Sequence, residues 1–175
     1  KSTDSGVTWY SSSTGLVKSV SEPTNAFATV TRLVIDPNSP ATLYAGTADG
    51  VFKTTDKAAK WSNASKGLTS LLVHDLIIDS LEPETLYAAT SAGVFRTTNG
   101  GGKWIAFNQG LTNLAANALA ADFAAPQTLY LGLADGTLFK RAQTETNWNR
   151  ISNQLTASDS NLTNTVGINS ITFLA

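Results

Sequence analysis

The stretch Leu43–Trp61, LYAGTADGVFKTTDKAAKW, returns as Leu86–Trp104, LYAATSAGVFRTTNGGGKW. It returns again, worn, as Leu129–Trp148, LYLGLADGTLFKRAQTETNW. The triplets beginning at Thr42, Thr85 and Thr128 step by 43 positions, as do Asp36, Asp79 and Asp122. Trp61, Trp104 and Trp148 step by 43 and 44. Few folds tolerate such a repeat. Each unit holds short runs rich in Val, Ile, Leu, Thr, Tyr and Phe, broken by Gly, Asp, Asn and Pro, which is the pattern of strands and turns. Apolar residues at helical spacing, every three to four positions over ten or more, are not seen.

A period in the low forties built from such runs is the length of one four-stranded propeller blade. The expected fold is therefore all-β: a β-propeller of four-stranded antiparallel blades, three of them complete, with partial blades at both ends. Residues 1–28 should hold the outer strands of a preceding blade and a connector. Blades should follow at 29–70, 71–113 and 114–152. Residues 153–175 should hold a connector and the innermost strand of a next blade, INSITFLA. Within the first full blade the strands fall at Val30–Ile35, Leu43–Thr47, Val51–Thr55 and Lys60–Ala64. A further short strand is expected around Leu16–Val20. Pro37 and Pro40 stiffen the first turn, and Ala48-Asp49-Gly50 forms a tight hairpin.

Lys1–Trp9 aligns with Lys53–Trp61, but the apolar pair that precedes Lys53 has no counterpart. The chain opens partway through a strand and contains no Met, so we expect a piece of a longer chain. About three blades cannot close a ring, because propellers have at least four. A ring of 6–8 blades, completed by the rest of a longer chain or by a second copy, is the expectation.

Ser2-x-Asp4-x-Gly6-x-Thr8-Trp9 carries a hydroxyl, an acid, a glycine and an indole at fixed spacing. Thr54, Asp56 and Trp61 keep three of these, with Ala58 for the Gly and Lys60 for the Thr. Thr97, Asn99, Gly101 and Trp104 keep the frame with Asn for Asp. Only Trp148 survives in the third unit. The logic is local: the Asp or Asn oxygen accepts backbone N–H groups just after it. Gly permits the tight backbone, and Trp packs on the neighbouring sheet. The motif reads as a folding staple. One carboxylate per turn is too little for Ca²⁺, and we expect neither a metal nor a cofactor.

These boxes, with the DPxxPxTLYAGTxDGVFKTTD pattern, resemble the Asp-box (BNR-repeat) β-propeller superfamily. It includes sialidases, sortilin-type receptor domains, xyloglucan-active glycosidases and photosystem II assembly factors. The resemblance covers nearly the whole chain. It implies that each blade's innermost strand lines a central channel and that ligands bind on one face. One scaffold hosts many activities, so function has to come from side chains.

Composition narrows those activities. The net charge of −1 gives no bias toward nucleic acid or an anionic membrane. No apolar run approaches the roughly 20 residues of a spanning helix. The chain has no Cys and one His, which disfavours thiol chemistry and histidine clusters. Glycosidases of the usual kind need two carboxylates about 5–10 Å apart. Asp36, Asp79 and Asp122 share a repeated turn, Asp49 and Asp135 a hairpin, and Asp4 and Asp56 the boxes. Only Asp75 is unshared and strand-borne. No arginine triad of the sialidase kind is visible. The first reading is a non-catalytic scaffold that binds protein or glycan, in a bacterial secreted, surface or periplasmic protein. The alternative is part of a glycoside hydrolase, sialidase- or xyloglucanase-like, whose acids lie outside this chain.

Candidate binding residues sit where the innermost strands begin, at the channel rim: Arg32, His74, Asp75, Asn117 and Asn169. They vary while the strand behind them stays apolar. Their bland reading is a solvated strand end, with Arg32 and Asp75 paired between adjacent blades.

Overall fold

The computed structural model describes residues 1–16, 28–122, 127–152, 168 and 171. Three four-stranded antiparallel sheets follow one another along the chain. The first comprises β1 (Val30–Ile35), β2 (Leu43–Thr47), β3 (Gly50–Thr54) and β4 (Ser62–Asn63). The second comprises β5 (Val73–Ile78), β6 (Leu86–Thr90), β7 (Gly93–Thr97) and β8 (Ile105–Ala106). The third comprises β9 (Ala116–Asp122), β10 (Thr128–Leu133), β11 (Leu138–Ala142) and β12 (Asn149–Ser152). Strand order in every sheet is the sequence order, a simple meander.

The register follows the repeat. Tyr44 faces Lys53, Tyr87 faces Arg96, and Tyr130 faces Lys140. In the first two blades Thr47 pairs with Gly50 and Thr90 with Gly93, so each hairpin loop is only two residues. The glycine is thus a strand residue and not part of the loop. The Thr47 hydroxyl donates to the Gly50 carbonyl at 2.8 Å and accepts the Asp49 amide at 2.9 Å. Outermost strands are shorter than the alternation suggests, two residues in β4 and β8. Both residues of each are exposed, and their backbones pair with β3 or β7.

Innermost strands β1, β5 and β9 lie side by side, and the blades stack face to face. The core is therefore a set of layers between blades. Tyr44 and Val51 of the first blade pack on Leu76, Leu86, Ala88, Phe95 and Trp104 of the second. Tyr87, Ala89 and Val94 of the second pack on Leu119, Leu129, Leu131, Phe139 and Trp148 of the third. Successive residues of β6 thus serve opposite layers: Leu86 and Ala88 face backward, Tyr87 and Ala89 forward. A strand buried on both faces reads as a continuous apolar run, which is why LYAAT does not alternate with polar residues.

Before β1, residues 1–16 form a fourth, partial unit. Tyr10 N donates to Lys1 O at 2.8 Å, the pairing that Lys53 makes with Ser62. At the other end Ile168 N donates to Leu133 O at 3.2 Å, against the third blade. Of the rest of the strand expected at 168–175, residues 169–170 and 172–175 lie outside the described residues. So do residues 17–20 of the strand expected around Leu16. Leu16 itself follows a turn and is buried against Trp61 and Phe52. No helix among the described residues is long and apolar enough to cross a membrane.

Candidate functional site: the channel rim and the Asp-box turns

Each innermost strand begins with a β-bulge. The register skips Thr31 between Val30 and Arg32, His74 between Val73 and Asp75, and Asn117 between Ala116 and Ala118. A bulge leaves its extra residue unpaired and re-aims the side chain. Two of the three reach beyond their own sheet. Thr31 Oγ1 donates to Val73 O at 2.8 Å, and Asn117 Nδ2 to Ile168 O at 2.8 Å. His74 turns instead to Ser91, Nε2 to Oγ 3.1 Å. Asn169 lies outside the described residues.

Beside the bulges, Arg32 and Asp75 meet. Arg32 Nε donates to Asp75 Oδ1 at 2.6 Å, with the guanidinium half exposed and the carboxylate 2% exposed. Asp75 Oδ1 also accepts its neighbour Leu76 N at 2.8 Å, and Oδ2 accepts Leu119 N at 2.9 Å. One carboxylate therefore ties together three blades. The Asp75 hydrogen bond is the main cause pushing the Arg32 guanidinium above its ordinary value. With both oxygens committed to donors, Asp75 is poorly placed to act as a general acid or nucleophile.

The box turns have the geometry of staples. Asp4 Oδ1 accepts Thr8 N at 2.9 Å and the Ser2 hydroxyl at 2.7 Å, and Oδ2 accepts the Thr8 hydroxyl. The Thr8 and Ser2 bonds hold the Asp4 carboxyl down at about 2. Asp56 Oδ1 accepts the Thr54 hydroxyl at 2.6 Å and the amides of Ala59 and Lys60 at 2.9 and 3.0 Å. These bonds, the Thr54 hydroxyl first, lower its carboxyl as well. Asn99 Oδ1 takes the Thr97 hydroxyl at 2.8 Å and Lys103 N at 2.9 Å. Two successive residues per turn are left-handed: Ser5 and Gly6, Lys57 and Ala58, Gly100 and Gly101. Ala58, at φ 63°, holds a conformation that glycine holds in its two counterparts. In the third unit Glu145 Oε2 accepts Ala142 N at 2.9 Å and closes the worn turn in another way.

The indoles complete a clasp between blades. Trp61 Nε1 donates to Ser12 O at 2.9 Å, Trp104 Nε1 to Ala64 O at 2.7 Å, and Trp148 Nε1 to Phe107 O at 2.7 Å. Each acceptor lies three residues after the preceding unit's Trp. The backbone N–H of the same Trp donates to the carbonyl five residues after the preceding unit's Trp: Thr14, Lys66 and Gln109. One position further stand Gly15, Gly67 and Gly110, all left-handed. A Cβ on Gly67 would lie 2.3 Å from the Trp104 carbonyl oxygen. Leu16, Leu68 and Leu111 follow and pack under the indole layers. Sequence reading missed this second half of the clasp, although Trp-x5-Gly-Leu stands three times in the chain.

Trp9 corrects an expectation. The box was expected to pack its indole on a neighbouring sheet, yet Trp9 is 75% exposed. It folds onto its own turn, Nε1 to Gly6 O at 3.1 Å. The buried indoles dock on the unit before them in sequence.

No family model matches the sequence, and no curated protein does. Solved structures do match. A GH74 enzyme from Niastella koreensis aligns with 68% of this chain and 20% of its own, at 22% identity and TM-score 0.58. The extracellular domain of a proposed one component system from B. thetaiotaomicron aligns with 74% of this chain and 18% of its own, at 19% identity and TM-score 0.59. An auxiliary nutrient binding protein from Bacteroides thetaiotaomicron aligns with 74% of this chain and 31% of its own, at 16% identity and TM-score 0.58. The chain thus spans a third or less of the length of these structures. With the three sheets described above, the likeness shows the fold: part of a β-propeller.

Proposed function

We propose that this propeller segment is a non-catalytic scaffold that binds protein or glycan in a bacterial secreted or surface protein. The observation that carries this reading is the state of Asp75. It is the one strand-borne acid that no repeated turn explains, and it is buried with both oxygens held by Arg32, Leu76 and Leu119. A carboxylate so engaged pins blades together. Further support comes from the printed descriptions of two structural neighbours, an extracellular domain and a nutrient binding protein. The second reading, part of a glycoside hydrolase with its acids elsewhere, draws on the likeness to the GH74 enzyme.

Completion of the ring belongs to the same proposal. Val73, Leu76 and Leu119 are buried by the blade before them, whereas their counterparts Val30 and Leu33 in β1 are exposed. A cleft of about 520 Å³ opens there, lined by Trp9, Leu16, Leu33, Leu43 and Trp61 among others. Its lining is mostly apolar, of the kind that another blade of this type would cover, from a longer chain or a second copy.

A glycan array with this chain, run beside an aryl glycoside assay, tests the reading. Saturable glycan binding without turnover supports it. Turnover abolished by Asp75→Asn, in a variant that still folds, would favour the hydrolase. A monodisperse 18.4 kDa species in solution with no tendency to associate would count against completion by a second copy.

A further inference from the structure

Corresponding places between blades carry different charges. Between the first and second blades, Lys53 lies over the Tyr44 ring, its Nζ 5.1 Å from the centroid. The Lys53 ammonium and the Glu84 carboxylate converge over Gly100, 2.8 and 2.5 Å from where a Cβ would sit. A cation there faces an acid. Between the second and third blades, the register puts Arg96 in the place of Lys53 and Arg141 in the place of Thr97. Gln127, two residues before Leu129 as Glu84 is before Leu86, takes the place of the acid. The acid is lost and a second cation gained.

Both guanidiniums stack on one ring. Arg141 Cζ lies 3.7 Å from the Phe107 centroid, and Arg96 Cζ lies 5.8 Å from Phe107 and 5.8 Å from Tyr87. Burial pushes the Arg141 guanidinium below its ordinary value, and the charge of Arg96 adds to it. Nearby carboxylates are occupied elsewhere. Asp79 accepts Leu81 N, Glu82 N and Gln127 Nε2. Glu145 accepts Ala142 N, and it is the carbonyl of Glu145 that takes Arg141 Nε at 3.2 Å. Arg96 Nε is buried and has no hydrogen-bond partner among the described residues. It lines a crevice of about 70 Å³, shared with Tyr87, Phe107, Gln127, Arg141 and Gln143.

We propose that this crevice between the second and third blades is a binding site for a carboxylate, held by the guanidiniums of Arg96 and Arg141 beside the Phe107 ring. An orphaned buried N–H and two like charges without a direct acid partner among the described residues are both relieved by an anion. The planar guanidinium fork matches the two oxygens of a carboxylate. The volume admits a carboxylate head and not a sugar ring, so the body of any larger ligand lies outside. The carboxylate comes from a small free acid or from a uronic acid unit of an acidic polysaccharide. The proposal is independent of the scaffold reading above.

The test follows the Nε–H resonances of Arg96 and Arg141 by ¹⁵N NMR during titration with acetate, glucuronate and polygalacturonate. Glucose and sodium chloride serve as controls. Saturable shifts at both arginines with a carboxylate, and none with glucose or equal chloride, are expected. Arg96→Gln or Arg141→Thr, the latter restoring the residue of the second blade, should weaken binding about tenfold or more. Lys53→Gln should leave it unchanged. Tighter binding of polygalacturonate than of acetate assigns the acidic polysaccharide; equal binding assigns the small acid. Shifts that never saturate, or that chloride reproduces, overturn the proposal and leave water as the occupant. Because the wild-type titration alone decides this, a variant that fails to fold does not blunt the test.

Discussion

Arg32 Nε lies 2.6 Å from Asp75 Oδ1, bridging the innermost strands of successive blades, while the other Asp75 oxygen accepts Leu119 N from the blade beyond. Buried N–H donors left without their acceptor cost more than a hydrogen bond contributes by forming. Asp75→Ala orphans the Leu119 amide, loses the bond to Leu76 N and leaves Arg32 unpaired. We expect a loss of about 3–5 kcal/mol. Arg32→Ala removes only the half-exposed partner, whose place water can take, and should cost about 1–2 kcal/mol. Urea unfolding of the two variants checks the order. Equal losses would mean that the amide bonds contribute little.

The indole layers predict a contrast within one residue type. Trp104 is buried, packs between two blades and donates to Ala64 O at 2.7 Å. Trp104→Ala should destabilise by roughly 3–5 kcal/mol, as aromatic core truncations do. Trp9→Ala, at an exposed indole, should stay within about 0.5 kcal/mol. A loss under 1 kcal/mol at Trp104, read by thermal or denaturant unfolding, would sink the idea that the interblade layers hold the fold.

Gly67 supplies the backbone half of the same clasp. Its φ is +97°, and a Cβ would strike the Trp104 carbonyl oxygen at 2.3 Å. Strain and overpacking together put Gly67→Ala at about 2–4 kcal/mol. Gly6 has a similar φ of +91° with nothing within 4 Å of its Cβ position. Gly6→Ala should therefore cost only the conformational term, about 1–2 kcal/mol. The difference between the two, measured by chemical denaturation, isolates the contact with the next blade.

The blades were legible because their constraint is periodic. Leu43, Leu86 and Leu129 recur with the same neighbours, and strand pairing must recur with them. The site was less legible for two reasons. Residues at the strand starts such as Thr31 and Asn117 owe their aim to a bulge, which is a property of backbone register and leaves no mark in residue type. The clasp glycines were hidden by the box itself: Trp61 closes one motif and opens another, so Ser65–Leu68, just past the strand expected at Lys60–Ala64, has no evident partner until the next Trp is seen docking on it. Crevice charge differences were visible in the alignment of units, Glu84 against Gln127 and Thr97 against Arg141. Their meaning needed the packing of both arginines against the Phe107 ring.

Acid should separate the boxes by their chemistry. Asp4 is held at about 2 against an ordinary 3.8, chiefly by the Thr8 and Ser2 bonds, and Asp56 is also lowered. A carboxyl depressed in the folded chain favours folding at pH above its ordinary value. That contribution fades as pH falls from there through the folded value. For the Asp4 turn the window runs from just under pH 4 down to about 2. Asn99 accepts Lys103 N at 2.9 Å with an amide oxygen, which does not titrate. Amide proton shifts of Thr8 and Lys60 should therefore move on acidification while that of Lys103 stays put, provided the fold persists. Thr8 should titrate with a midpoint near 2, and Asn99→Asp should make Lys103 follow the other two. A Thr8 midpoint near 4, or a Lys103 shift in the unaltered chain, would show that the carboxylate bonds are not what closes these turns.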